Sequence, residues 1–98
     1  MADDVYAIVG NGASITTSGT SQRVAMPTDS SGNNPRYVVI SVTQAAYVRP
    51  GNSTVTAATT DIICNANEKT VLNVAGCTHI AALQQGSSGN VTIVPVSL

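Results

Sequence analysis

The sequence contains no Phe and no Trp, and Tyr6, Tyr37 and Tyr47 are its only aromatic residues. A core without large rings must be assembled from small branched side chains, and a sugar site would lack most of its stacking surface. Charge is scarce too: 9% of residues are charged, four Lys and Arg against five Asp and Glu, for a formal net charge of −1. No basic stripe is available to neutralise phosphates and no basic run is interleaved with aromatics, so direct nucleic-acid binding is not expected. The apolar runs at 38–40 and 80–83 fall far short of the ~20 residues a spanning helix needs, so no membrane partner is expected. The opening Met1-Ala2-Asp3-Asp4 has neither the basic nor the apolar region of a secretory signal, so synthesis and maturation in the cytoplasm are expected.

Cysteine is nearly absent as well. Cys64 and Cys77 cannot make a disulfide framework; they are a single bridge, a metal pair or two free thiols. His79 stands two residues from Cys77, but a four-ligand zinc site needs more N and S donors than this chain offers. Free thiols packed as small hydrophobes fit a cytoplasmic chain best. No metal and no cofactor are expected.

What is abundant is branching at Cβ. Twenty of the 98 residues are Val or Ile and twelve are Thr, with only three Leu. Such side chains lose rotamer freedom in a helix and sit well on a pleated sheet. Ninety-eight residues make one domain, which buries roughly 65% of its unfolded surface. Association with other subunits is the expected route to removing more apolar surface from water.

Turn chemistry divides the chain into eight or nine short runs. A first strand over 4–9 ends at Gly10-Asn11-Gly12. Runs at 13–18 and 20–26 flank Gly19 as a hairpin, and 27–35 is an exposed, mobile loop. In the next strand Val38, Ile40 and Val42 alternate with Tyr37, Val39 and Ser41. Apolar residues on both faces suit a strand in mid-sheet or against a partner. A strand over 45–49 stops at Pro50-Gly51-Asn52. Strands over 54–57, 61–64, 69–74 and 77–84 follow. The last, 91–98, holds Pro95, which favours an edge or a bulge. Spacings of about 8–12 residues between short strands indicate an all-β, antiparallel sandwich or barrel-like domain.

The chemistry-bearing residues give little. His79 is the only group titrating near neutrality, and beside Cys77 it lacks an orienting third group and an oxyanion hole, so no catalytic residue is assigned. Asp3, Asp4, Asp29, Asp61 and Glu68 read as solvated turn residues. Asp29 with Asn33 and Asn34 could offer oxygens to calcium, although the spacing matches no calcium loop. Two glycosylation sequons, at Asn52 and Asn90, are coincidental in a chain without a secretory signal. Contacts with partners are the alternative use of such side chains. Arg36 and Arg49, near strand ends as Lys69 also is, are candidates for ion pairs across a subunit contact, or for edge charges that discourage stray pairing. Tyr37, Val39 and Tyr47, together with Val94 and Val96 on the last strand and His79, complete the candidate interface.

The segments Ala45-Ala46-Tyr47-Val48-Arg49-Pro50-Gly51 and Gly76-Cys77-Thr78-His79-Ile80-Ala81-Ala82-Leu83-Gln84 resemble small β-rich structural proteins of tailed bacteriophages. Between them lie a Thr/Ala-rich stretch with Asp61 and the acidic Glu68. A Gly-led strand, Gly89-Asn90-Val91-Thr92-Ile93, follows. The resemblance covers about residues 38 to 98. It implies a non-enzymatic virion component, most like a capsid decoration (cement) protein on the outer head surface. Its implied partners are the major capsid protein and further copies of itself, as a homodimer or homotrimer. A head–tail junction or tail-associated protein would share this composition, and a receptor- or carbohydrate-binding module would need an exposed Tyr6, Tyr37 or Tyr47. On the shell, several weak simultaneous contacts would raise avidity, and the 20–26 and 91–98 strands are candidates for adding to a capsid sheet.

Overall fold

The structure is a computed structural model and describes residues 6–98. The described residues form nine strands and no helix: β1 (Ala7–Ile8), β2 (Ala13–Thr16), β3 (Gln22–Ala25), β4 (Tyr37–Val42), β5 (Ala46–Gly51), β6 (Ile62–Cys64), β7 (Lys69–Asn73), β8 (His79–Gln84) and β9 (Asn90–Ser97). Every pairing is antiparallel. The first sheet runs β1-β9-β4-β7 with β2 also on β9, and the second runs β3-β8-β5-β6. The expected antiparallel β-sandwich is what the chain builds.

Alternation along the strands assembles the core. Val38, Ile40, Val42, Val91 and Ile93 of the first sheet meet Ala46, Val48, Cys64, Ile80 and Ala82 of the second, and all are buried. At about 1.5–3 kcal/mol for each fully buried Val or Ile, these small side chains supply most of the driving force. Thr17 is the one buried polar residue in the described chain; its Oγ1 accepts from Gly89 N at 2.9 Å and lies 3.1 Å from Gly89 O, so the group is satisfied.

Several expectations need correction. The first strand is β1 alone, Ala7–Ile8; Asp4 and Val5 lie outside the described residues. Gly19 does not turn a hairpin. β2 pairs with β9 and β3 with β8, so residues 17–21 carry the chain from one sheet to the other. Each run buries its apolar residues inward from a different layer, which pairing side by side could not achieve. The 27–35 loop is exposed over most of its length, but both of its prolines are buried. Asp29 Oδ1 accepts from Ser31 N and Asn33 N, at 2.9 and 3.0 Å.

Both prolines expected to end or marginalise strands lie inside central ones. β5 continues through Pro50 to Gly51, and β9 lies between β4 and β1/β2. The reason is local. In a strand the N and C=O of one residue face the same flank. Val9 N donates to Pro95 O at 3.0 Å, so the Pro95 nitrogen faces the 9–12 segment, where β1 has ended and β2 has not begun. There the Gly12 backbone runs so close that an added Cβ would come within 2.8 Å of Ile93 O. Pro50 follows the same logic. Ala45 O and Gly51 O face β8, accepting from Gln85 N and Thr78 N, so Pro50 faces the β6 flank. β6 starts only at Ile62, opposite Val48, and no ladder donor is required beside Pro50.

Candidate functional site

The two outward faces of the sandwich differ. On the second sheet, residues 54–57 are not the expected strand; they are part of a strap joining β5 to β6. Val55 and Ala57 turn inward onto Ala81 and Leu83, forming a small apolar cluster outside the sheet. Side chains, not a ladder, hold its backbone: Arg23 donates to Val55 O at 3.0 Å, and Ala57 N donates to Ser21 Oγ at 2.9 Å. At the far end Asp61 accepts from Ala58 N at 2.7 Å and pairs with Arg49 at 3.1 Å. The strap lies so near β5 that a Cβ on Gly51 would come within 2.7 Å of a Val55 methyl.

On the first sheet, register places Val94, Val39 and Val71 in one row across β9, β4 and β7. Ile8, Val96, Tyr37 and Asn73 form the next row. Ser14, Thr16, Thr92 and Ser41 continue the face as hydroxyls, and Lys69 is the only charged residue the register puts on it. Ile8 is 69% exposed and Val71 40%, while Tyr37 and Val94 are half-buried. Among the described residues, no packed apolar cluster like that under the strap forms here.

The structure divides the candidate interface residues between these faces. Tyr37, Val39, Val94 and Val96 share the first sheet's outer face, with Arg36 exposed just before β4. Val39 and Val96 point outward yet are only 8% and 3% exposed, so neither presents much surface to a partner. Tyr47, Arg49 and His79 lie on the second sheet's outer face. Arg49, two residues from the end of β5 and still largely exposed, pairs with Asp61 of its own strap. The His79 ring nitrogen Nδ1 is 2.9 Å from Thr78 Oγ1. β9 is paired on both flanks and cannot add to a foreign sheet, whereas β3 is an edge strand.

Cys64 and Cys77 are free thiols, Cys64 buried and Cys77 half-buried. Burial raises the Cys64 thiol pKa above its ordinary value, against a smaller lowering by its hydrogen bond with Thr70. The described residues hold no group of three or more His, Cys, Asp or Glu placed to bind a metal ion. No described helix is long and apolar enough to cross a membrane. An open cleft of about 450 Å³ at one end of the first sheet is lined by Asp29, Pro35, Arg36, Tyr37 and Leu98, among others. Its acid is the one already engaged by the Ser31 and Asn33 amides.

Sequence reasoning missed Ile8, Val71, Ile62 and Ile63 as exposed apolar residues. Each has an apolar neighbour in the chain, so alternation assigns it no face, and only the sheet order shows which of them lies beside open solvent. Compared with known proteins, the chain matches no protein family, no curated protein and no solved structure.

Proposed function

We propose that this chain is a non-enzymatic virion structural protein, a capsid decoration protein of a tailed bacteriophage. It seats on the outer head surface through the open face of its first sheet. The observation that carries the reading is exposed Ile8 and Val71 on opposite edges of one outer face, with half-buried Tyr37 and Val94 between them and a rim of hydroxyls and amides. An apolar centre with a polar, sparsely charged rim is the anatomy of a protein–protein contact. The resemblance of residues 38 to 98 to phage structural proteins supplies the partner, the major capsid protein. The protein is made in the bacterial cytoplasm and joins the head from outside. Several copies engaging neighbouring capsomers then oppose their separation, each contact making the next one intramolecular.

Purified protein added to expanded, undecorated heads is expected to bind at hundreds of copies per particle and to raise their resistance to heat. Heads whose heat resistance does not change at full occupancy would refute the reading. Tens of copies or fewer, counted by quantitative mass spectrometry of particles, would move the protein to the head–tail junction.

A further inference from the structure

The sandwich has four strand edges, and three carry a device against pairing. The β1/β2 edge is broken at residues 9–12. Arg23 on β3 and Ser21 just before it are engaged by the strap. β7 begins with a lysine. β6 has none of these: Ile62, Ile63 and Cys64 carry no charge and no proline, and Ile62 and Ile63 are 52% and 41% exposed. Edge strands with exposed apolar side chains on both faces are templates for another strand.

Ladder alternation shows which backbone groups are open. Odd-numbered residues of β5 face β8, so Ala46 and Val48 face β6 and exchange hydrogen bonds with Cys64 and Ile62. The Ile63 N–H and C=O therefore point away from the sheet. On either side the chain turns back on itself, Asp61 N donating to Ala58 O and Glu68 N to Asn65 O. One residue with an outward donor and acceptor at the centre of a three-residue strand is self-complementary.

We propose that a second copy of this chain pairs antiparallel with β6 about a two-fold axis through Ile63. Each Ile63 donates its N–H to the other's C=O, which joins the two four-stranded sheets into one of eight. Ile62 falls opposite Cys64 of the second copy, and Asp61 opposite Asn65, so no like charges meet. On the outer face the row Leu83, Tyr47, Ile63 continues directly into its symmetry mate. Two backbone hydrogen bonds make a short ladder, so the dimer is weak and concentration-dependent, suited to copies already crowded on one surface. This inference deepens the oligomeric part of the proposed function and rests on it there alone.

The test is sedimentation of the full chain together with oxidative cross-linking. In a Cys77→Ala background, Ile63→Cys should cross-link rapidly with a mild oxidant such as copper phenanthroline. Ser14→Cys, on the opposite edge of the sandwich, should not. Ile63→Lys, at an exposed position, sets two like charges opposite each other and should weaken self-association more than about tenfold, with an unchanged circular dichroism spectrum. A native chain that stays monomeric at its highest soluble concentration overturns the inference. So does a dimer that cross-links through Ser14→Cys instead of Ile63→Cys. Shell binding by Ile63→Lys is read separately: a monomer that still binds heads separates loss of the dimer from loss of the shell contact.

Discussion

The outer faces of the two sheets both carry apolar residues, and these meet different fates. The second sheet's face is roofed by the chain itself, with Val55 and Ala57 over Ala81 and the strap fastened at Ser21, Arg23 and Asp61. The first sheet's face shows Ile8 and Val71 to solvent beside a row of valines. Intramolecular cover makes a surface a matter of stability, whereas an open surface of the same chemistry is a matter of association. Composition alone does not separate the two; the direction the chain takes after Gly51 does.

The sharpest way to break this contrast is the same substitution on both faces. Val55→Asp places a carboxylate against Ala81 and Leu83 under the strap and should cost about 3 kcal/mol in denaturant unfolding. Val71→Asp, at an exposed position, should stay within about 0.5 kcal/mol of the native stability while abolishing attachment to heads. Equal destabilisation by the two would end the distinction. Next in size is Gly51→Ala, whose methyl meets Val55 and should lift the strap at a cost of about 2 kcal/mol. Faster amide exchange at Ala57 than at Ala82 would be its signature.

Asp61→Asn should cost about 1 kcal/mol or less, because the Arg49 partner is largely solvated and screened. Its effect should shrink further in high salt, and a salt-independent loss would mean that the bond from Ala58 N matters more than the ion pair. The smallest effect belongs to Cys64. A raised thiol pKa means that the folded state holds its proton where the unfolded state, with a pKa near 8.5, releases it. The contribution is therefore complete below about pH 8.5 and is lost as pH rises through the folded value. A fall in thermal midpoint above that pH, absent in Cys64→Ala, is the expected readout.

The strand positions were largely legible in the sequence, because Cβ-branched residues alternate and Gly, Asn and Pro punctuate. β4 was legible even as a central strand, from apolar residues on both of its faces. Residues 54–57 show where that legibility stops. Val55 and Ala57 point inward and Thr54, Thr56 and Ala58 outward, the two-residue period of a strand. Any extended segment lying on a sheet gains that period, whether or not it joins a ladder. Pro50 and Pro95 mislead in the opposite direction, because the rule against proline in central strands concerns a neighbour's acceptor, and here the neighbour is missing on that flank. Gly19 permits a turn but does not say whether the turn stays within one layer. The eight candidate interface residues were read as one set, whereas the sheets put Tyr37, Val39, Val94 and Val96 on one face and Tyr47, Arg49 and His79 on the other, and which of them reaches solvent depended on sheet order. Ile63 was invisible for the same reason.

The place of β9 has a consequence for how the molecule comes into being. This strand carries the register for β1, β2 and β4 together, although its residues are synthesised after all three. Until residues 90–97 leave the ribosome, β1 and β2 have no ladder partner, so this part of the first layer waits for the end of that segment.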